Sequence, residues 1–123
     1  MYWIFVETAF CASHQLTFAD GTREALHTHP WGVVAAVCAD KLNSEGLVMD
    51  FLELEKVLEA AVEPLGGKQL ETVGCFSGRN ASAEAVARYL FDAVAARIAP
   101  PARLDYVEVT EAEGCRARYQ PGA

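Results

Sequence analysis

Hydrophobic and polar positions change period several times along the chain, and the changes mark out its elements. Tyr2 to Ser13 is rich in aromatic and β-branched residues and leads into His14, which predicts a first strand. Asp20-Gly21-Thr22 then reads as a turn. Trp31 to Ala39 is a near-continuous apolar run, predicting a second strand, and the polar Lys41 to Gly46 predicts a loop. Asp50 and Glu53 stand at capping-box spacing, and Phe51, Leu54, Leu58 and Val62 follow at helical steps on one face. Pro64, Gly66 and Gly67 end that helix, and 66–79 reads as a loop. Asn80 or Ser82 caps a second helix, whose Val86, Leu90, Val94 and Ile98 share a face until Pro100-Pro101 stops it. Tyr106 to Val109 predicts a third strand. Glu113-Gly114 predicts a tight turn, and Cys115 to Tyr119 a fourth strand. Two hairpins separated by two helices make an α+β domain with the helices on one sheet face.

Composition narrows the class. The 123 residues suit a single domain over 1–123, and 52% hydrophobic with 22% charged residues is a globular balance. The net charge is −7 and no Lys/Arg cluster occurs, which excludes a nucleic-acid backbone as the expected partner. No apolar run approaches the ~20 residues of a membrane span. The first residues carry no basic stretch and meet Glu7 at once, so no secretory leader is expected. Cys11, Cys38, Cys75 and Cys115 form no CxxC pair. A reduced, cytoplasmic protein is expected, with disulfides as the alternative. Cys11 is expected as a small buried core residue.

The histidines raise a chemical question. All three, His14, His27 and His29, fall in one region. Side chains two apart on a strand point the same way, so His27 and His29 can chelate one ion if their stretch is extended. A hairpin brings His14 alongside. Three histidines plus an open position is the ligand set of a catalytic zinc site. Three ordinary histidines are the other reading of the same residues.

Several segments, taken in order, resemble one family. Phe10-Cys11-Ala12-Ser13-His14, Leu26-His27-Thr28-His29, Glu45-Gly46-Leu47-Val48-Met49-Asp50-Phe51, Asn80-Ala81-Ser82-Ala83-Glu84 and Val109-Thr110-Glu111 with Tyr119 are similar to the motifs of the 6-pyruvoyltetrahydropterin synthase family. That family includes the bacterial 6-carboxytetrahydropterin synthases. The resemblance implies the T-fold, a four-stranded antiparallel sheet with two helices on one face. It implies zinc on His14, His27 and His29, active sites between subunits, and a homohexamer of two stacked trimers. It also implies a pterin-like ligand anchored by Glu111. A carboxylate there suits the paired donors of a pterin ring. Ser82 matches a family threonine near the pterin and is also a natural helix cap. Glu84 matches a family position and equally suits a helix first turn.

The chain departs from the family where protons move. The family's cysteine position is Arg23 here, and its Leu-Asp-His segment is Leu65-Gly66-Gly67. Glu24 is then the candidate general base, or a solvated loop acid. Arg23 is a candidate for binding a phosphate or carboxylate of the substrate. Asp20 is a further acid of the same loop. Two functions fit: a zinc-dependent lyase of altered specificity on a pterin or related heterocycle, or a non-catalytic protein that binds such a ligand.

Overall fold

The structure, a computed structural model, describes residues 1–122. Strands β1 (Tyr2–His14), β2 (His27–Ala39), β3 (Arg103–Ala112) and β4 (Cys115–Tyr119) form an antiparallel sheet in the order β1-β2-β3-β4. Helices α1 (Phe51–Val62) and α2 (Ala83–Ala95) occupy the connection between β2 and β3. This is the expected α+β arrangement. Among the described residues no helix is long and apolar enough to cross a membrane.

Alternation along the strands builds the core. Phe10 and Ala12 of β1, Val33 and Val37 of β2, and Val107 and Val109 of β3 bury their side chains with Leu54, Leu58, Leu90 and Val94 of the helices in one cluster. The apolar stripe of α1 is Leu54, Val57, Leu58, Ala61 and Val62, at steps of three and four. Phe51, expected on that stripe, is 51% exposed, because it sits in the first turn at the free end of the helix. The Asp50 carboxylate caps α1 by accepting from the Leu52 N–H at 2.8 Å. Asp50→Ala should cost about 1 kcal/mol of stability, read as a lower urea midpoint. An unchanged midpoint would mean that α1 is held by its stripe alone.

Ser82, not Asn80, caps α2, with its hydroxyl accepting from the Ala85 N–H at 3.1 Å. Asn80 instead clamps Thr17, accepting from its N–H at 2.8 Å and donating to its carbonyl at 2.9 Å. The helix ends at Ala95, so Ile98 lies beyond it and only partly buried against the core.

Tertiary pairing lengthens the strands beyond what propensity predicts. β2 begins at His27 rather than Trp31, because register with β1 carries His-Thr-His-Pro into the sheet: His14 pairs with His27 and Cys11 with Pro30. β3 joins β2 only from Gly32 onward, so Pro30 sits where β2 has β1 as its one neighbour. β3 likewise extends at both ends of Tyr106–Val109. The 66–79 segment contains short helical turns at Leu70–Thr72 and Gly74–Phe76, which bury Leu70 and Phe76. Cys11 is exposed, not buried, because β1 alternation turns it away from the helices while Phe10 and Ala12 point inward. Cys38 is buried, and burial pushes its thiol pKa up.

β3 bulges twice. Leu104 and Tyr106 pair with Val37 and Ala36, leaving Asp105 as an extra residue. Thr110 and Ala112 pair with Arg116 and Cys115, leaving Glu111 as the second.

Candidate metal centre

The histidines meet at one end of the sheet, on its helix-covered side. His14 is fully buried at the last position of β1, directly opposite His27, and His29 lies one inward position along β2. The bulge at the end of β3 brings Glu111 to them. Ligand atoms of His14, His27, His29 and Glu111 all lie within 4.8 Å of one another.

Hydrogen bonding fixes which ring nitrogen faces the centre. His14 Nδ1 is 2.8 Å from the Ala81 carbonyl oxygen, His27 Nδ1 3.1 Å from that of Ala25, and His29 Nδ1 2.8 Å from that of Pro30. A carbonyl oxygen only accepts, so each Nδ1 is assigned the proton and each Nε2 is left with a lone pair. Those Nε2 atoms converge: His14 to His27 at 2.8 Å and His14 to His29 at 3.5 Å. Glu111 Oε1 lies 2.8 Å from His14 Nε2 and 3.8 Å from His29 Nε2.

Four electron-pair donors facing one point repel unless a cation lies among them. Tetrahedral bonds of ~2.0–2.1 Å place neighbouring ligand atoms ~3.3 Å apart, and the spacings here bracket that value. Imidazoles oriented by carbonyls through Nδ1 are the usual second layer of a metal site. The residues therefore fit a divalent transition ion.

Trp31 supports the cluster from below. It is fully buried, its ring stacks on His29 at 4.6 Å and meets His14 edge-on at 4.7 Å. The Phe10 ring lies parallel to it with centroids 6.0 Å apart, and the Trp31 Nε1–H donates to the Ala12 carbonyl at 3.3 Å.

The remaining candidates fall at different distances from the cluster. Glu24 Oε1 lies 3.8 Å from His27 Nδ1, on the outer side of that ring, and accepts from the Leu16 N–H at 3.0 Å. Arg23 lines a cavity of about 530 Å³ bordered by Gln15, Glu71 and Arg79 rather than by the histidines. Glu111 also borders a second cavity, of about 500 Å³, with Ala83 and Glu84 just past the Ser82 cap. Cys115 lines this cavity too. Asp20 is a turn residue: bonds from the Thr22 hydroxyl and N–H, at 2.6 and 2.9 Å, hold its pKa below the ordinary carboxylate value. Gly66 and Gly67 run beside β1, with the Gly67 N–H donating to the Cys11 carbonyl at 2.7 Å.

Sequence reasoning missed Glu71. One of its oxygens accepts from the Gln15 N–H at 3.0 Å and the other from the Ala81 N–H at 3.3 Å. It thereby ties the residue after His14 to the residue whose carbonyl orients His14. Nothing in a Gly-rich loop signals that role. The bulge that carries Glu111 into the cluster was equally silent.

Comparison with known proteins agrees with this architecture. The family model described as 6-pyruvoyl tetrahydropterin synthase matches residues 3–122. A curated relative, 6-carboxy-5,6,7,8-tetrahydropterin synthase of Synechocystis sp., is 31% identical over 126 residues, covering 97% of this chain and 93% of that protein. Among solved structures, Caenorhabditis elegans 6-pyruvoyl tetrahydropterin synthase superposes with a TM-score of 0.82 at 18% identity, over 99% of this chain and 98% of that one. The Plasmodium vivax enzyme gives 0.80 at 18% identity, with the same coverage of 99% and 98%. A variant of that Plasmodium protein, described as altered at a catalytic glutamate, gives 0.78 at 18% identity, again covering 99% and 98%. The chain belongs to the 6-pyruvoyl tetrahydropterin synthase family, and its α+β sheet with two helices is the T-fold of that family.

Proposed function

We propose that this protein is a zinc-dependent, lyase-type enzyme acting on a pterin or a related heterocycle, with a specificity different from that of the ordinary synthases. The observation that carries it is the convergence of three Nε2 lone pairs and the Glu111 carboxylate on one point. The donor set of three imidazoles and one carboxylate suits zinc. Zinc held by His14, His27 and His29 supplies a Lewis acid for a substrate oxygen. Glu111 sits where it can anchor the heterocycle, close the ligand set, or exchange one task for the other as ligand enters. Glu84, in the first turn of α2 after the Ser82 cap, lines the cavity that Glu111 also borders.

Glu24 is the proposed base. One of its oxygens is fixed by Leu16, which leaves the other for a substrate proton. A member of this fold described as having a catalytic glutamate makes the role chemically reasonable. The ordinary synthase reaction fits less well, because the resemblance sets Arg23, Gly66 and Gly67 of this chain against the family's cysteine and Asp-His pair. β1 and β4 are the two sheet edges, and outside Cys11–Ser13, which residues 67–69 cover, their outer backbone suits edge-to-edge joining of copies into the trimers of a hexamer. We place the protein in the cytoplasm.

Anaerobic incubation of zinc-loaded protein with dihydroneopterin triphosphate, followed by mass analysis of the pterin, tests this reading. A new product is expected. Glu24→Gln should lower turnover about 100-fold or more and leave ligand affinity nearly unchanged. Full activity in that variant would remove Glu24 from the mechanism. The second reading, a binding protein without turnover, is favoured by the missing proton relay at Arg23, Gly66 and Gly67. It predicts recovery of unchanged pterin that co-elutes with the protein.

A further inference from the structure

The cavity beside the histidine cluster has a chemistry that metal binding does not use. It is bounded by residues 15, 17, 23, 69, 71 and 78–80 and has a volume of about 530 Å³, within the range of small-molecule sites. Two guanidinium groups, Arg23 and Arg79, line it. We propose that it is an anion subsite, taking a phosphate or carboxylate group carried by the ligand whose ring occupies the adjoining centre. The assignment of the ring rests on the pterin reading above; the assignment of the anion does not.

Pairing of the arginines favours this. The chain is acidic, at net −7, and its carboxylates satisfy most of its arginines. Arg88, Arg103, Arg116 and Arg118 each lie within 4.0 Å of an Asp or Glu oxygen. Among the described residues Arg23, Arg79 and Arg97 have no such partner, and of these Arg23 and Arg79 line the same cavity while Arg97 is an exposed residue past the end of α2. Arg79 is also held in place, because its guanidinium donates to the Cys75 carbonyl, which leaves its other N–H groups to the cavity. The Gln69 amide and Thr17 hydroxyl add neutral donors to the lining.

Glu71 is the acid of the lining, and it opposes an anion. Its two oxygens already accept main-chain N–H bonds from Gln15 and Ala81, which spreads its charge onto the backbone. Two cations against one engaged carboxylate leave the cavity net positive.

Position links this cavity to the metal centre. Gln15 follows His14, Arg23 precedes Glu24, and Asn80 precedes Ala81, whose carbonyl orients His14. An anion bound here therefore lies against the same wall that holds the cluster.

Isothermal titration of inorganic phosphate into chelator-treated protein reads the subsite without metal or pterin. Saturable binding is expected, weakened about tenfold by either Arg23→Gln or Arg79→Gln. The exposed Arg97→Gln serves as a control and should change nothing. Absence of saturable binding, or equal weakening by Arg97→Gln, would overturn the subsite. A second titration compares a pterin bearing a side-chain phosphate or carboxylate with the same pterin lacking it, on metal-loaded protein. Arg79→Gln should weaken only the anionic ligand, and which anion loses more identifies the group. Equal loss for charged and uncharged ligands would overturn the assignment. If phosphate binds as expected but neither pterin does, the pterin reading fails and the anion subsite stands.

Discussion

His27→Ala should strip the protein of its metal while leaving the fold intact. His27 supplies one of the converging Nε2 atoms, but its side chain is 41% exposed, so its removal opens no interior cavity. Losing one of three imidazole ligands should weaken metal affinity by about 100-fold or more. Metal content after gel filtration, together with a competition titration, measures the loss, and circular dichroism should be unchanged. The same change at His14 would be a poorer test. His14 is fully buried and its Nδ1–H serves the Ala81 carbonyl, so alanine there also leaves a hole and an unpaired acceptor. Metal content of His27→Ala equal to wild type would mean that the cluster is not a metal centre.

Trp31→Ala should produce the largest stability loss of any single core change, about 3–5 kcal/mol. The ring is fully buried against Phe10 and the imidazoles of His14 and His29. Truncation removes the floor of the cluster as well as core volume, so metal affinity should fall with stability. Urea unfolding monitored by far-UV circular dichroism gives the first quantity and metal titration the second. Trp31→Phe separates them: it retains an aromatic surface and loses the hydrogen bond to Ala12, so it should cost less than alanine and keep the metal. A loss of under 1 kcal/mol in Trp31→Ala would mean that neighbouring side chains collapse into the space.

The helices were legible because their signals are local. Asp50 and Ser82 cap them, and apolar steps of three and four mark their inner faces. The histidine centre was legible because strand alternation is also local: two residues apart means one side. What the chain does not display is pairing. Register with β1 draws Thr28 and Pro30 into β2. The outward side of Cys11, by contrast, follows from the same local alternation, since it lies an odd number of residues from the inward His14, and the tendency of cysteine to be buried was the weaker guide. Glu111 reaches the cluster by a bulge, which depends on the partner strand and leaves no mark in the residues themselves. Glu71 acts through two backbone N–H groups far from it in sequence, a role that any carboxylate on a suitably placed loop could fill.

The four donor residues belong to three strands, and His14 and Glu111 stand near opposite ends of the chain. The donor set thus exists only once the sheet has closed, and an ion that binds it pulls the folding equilibrium by mass action. With free metal ~100-fold above its dissociation constant the gain is ~2.7 kcal/mol. With the ion bound as proposed, depletion would make the sheet open more often and expose the chain to proteases sooner, which limited proteolysis with and without chelator reads directly.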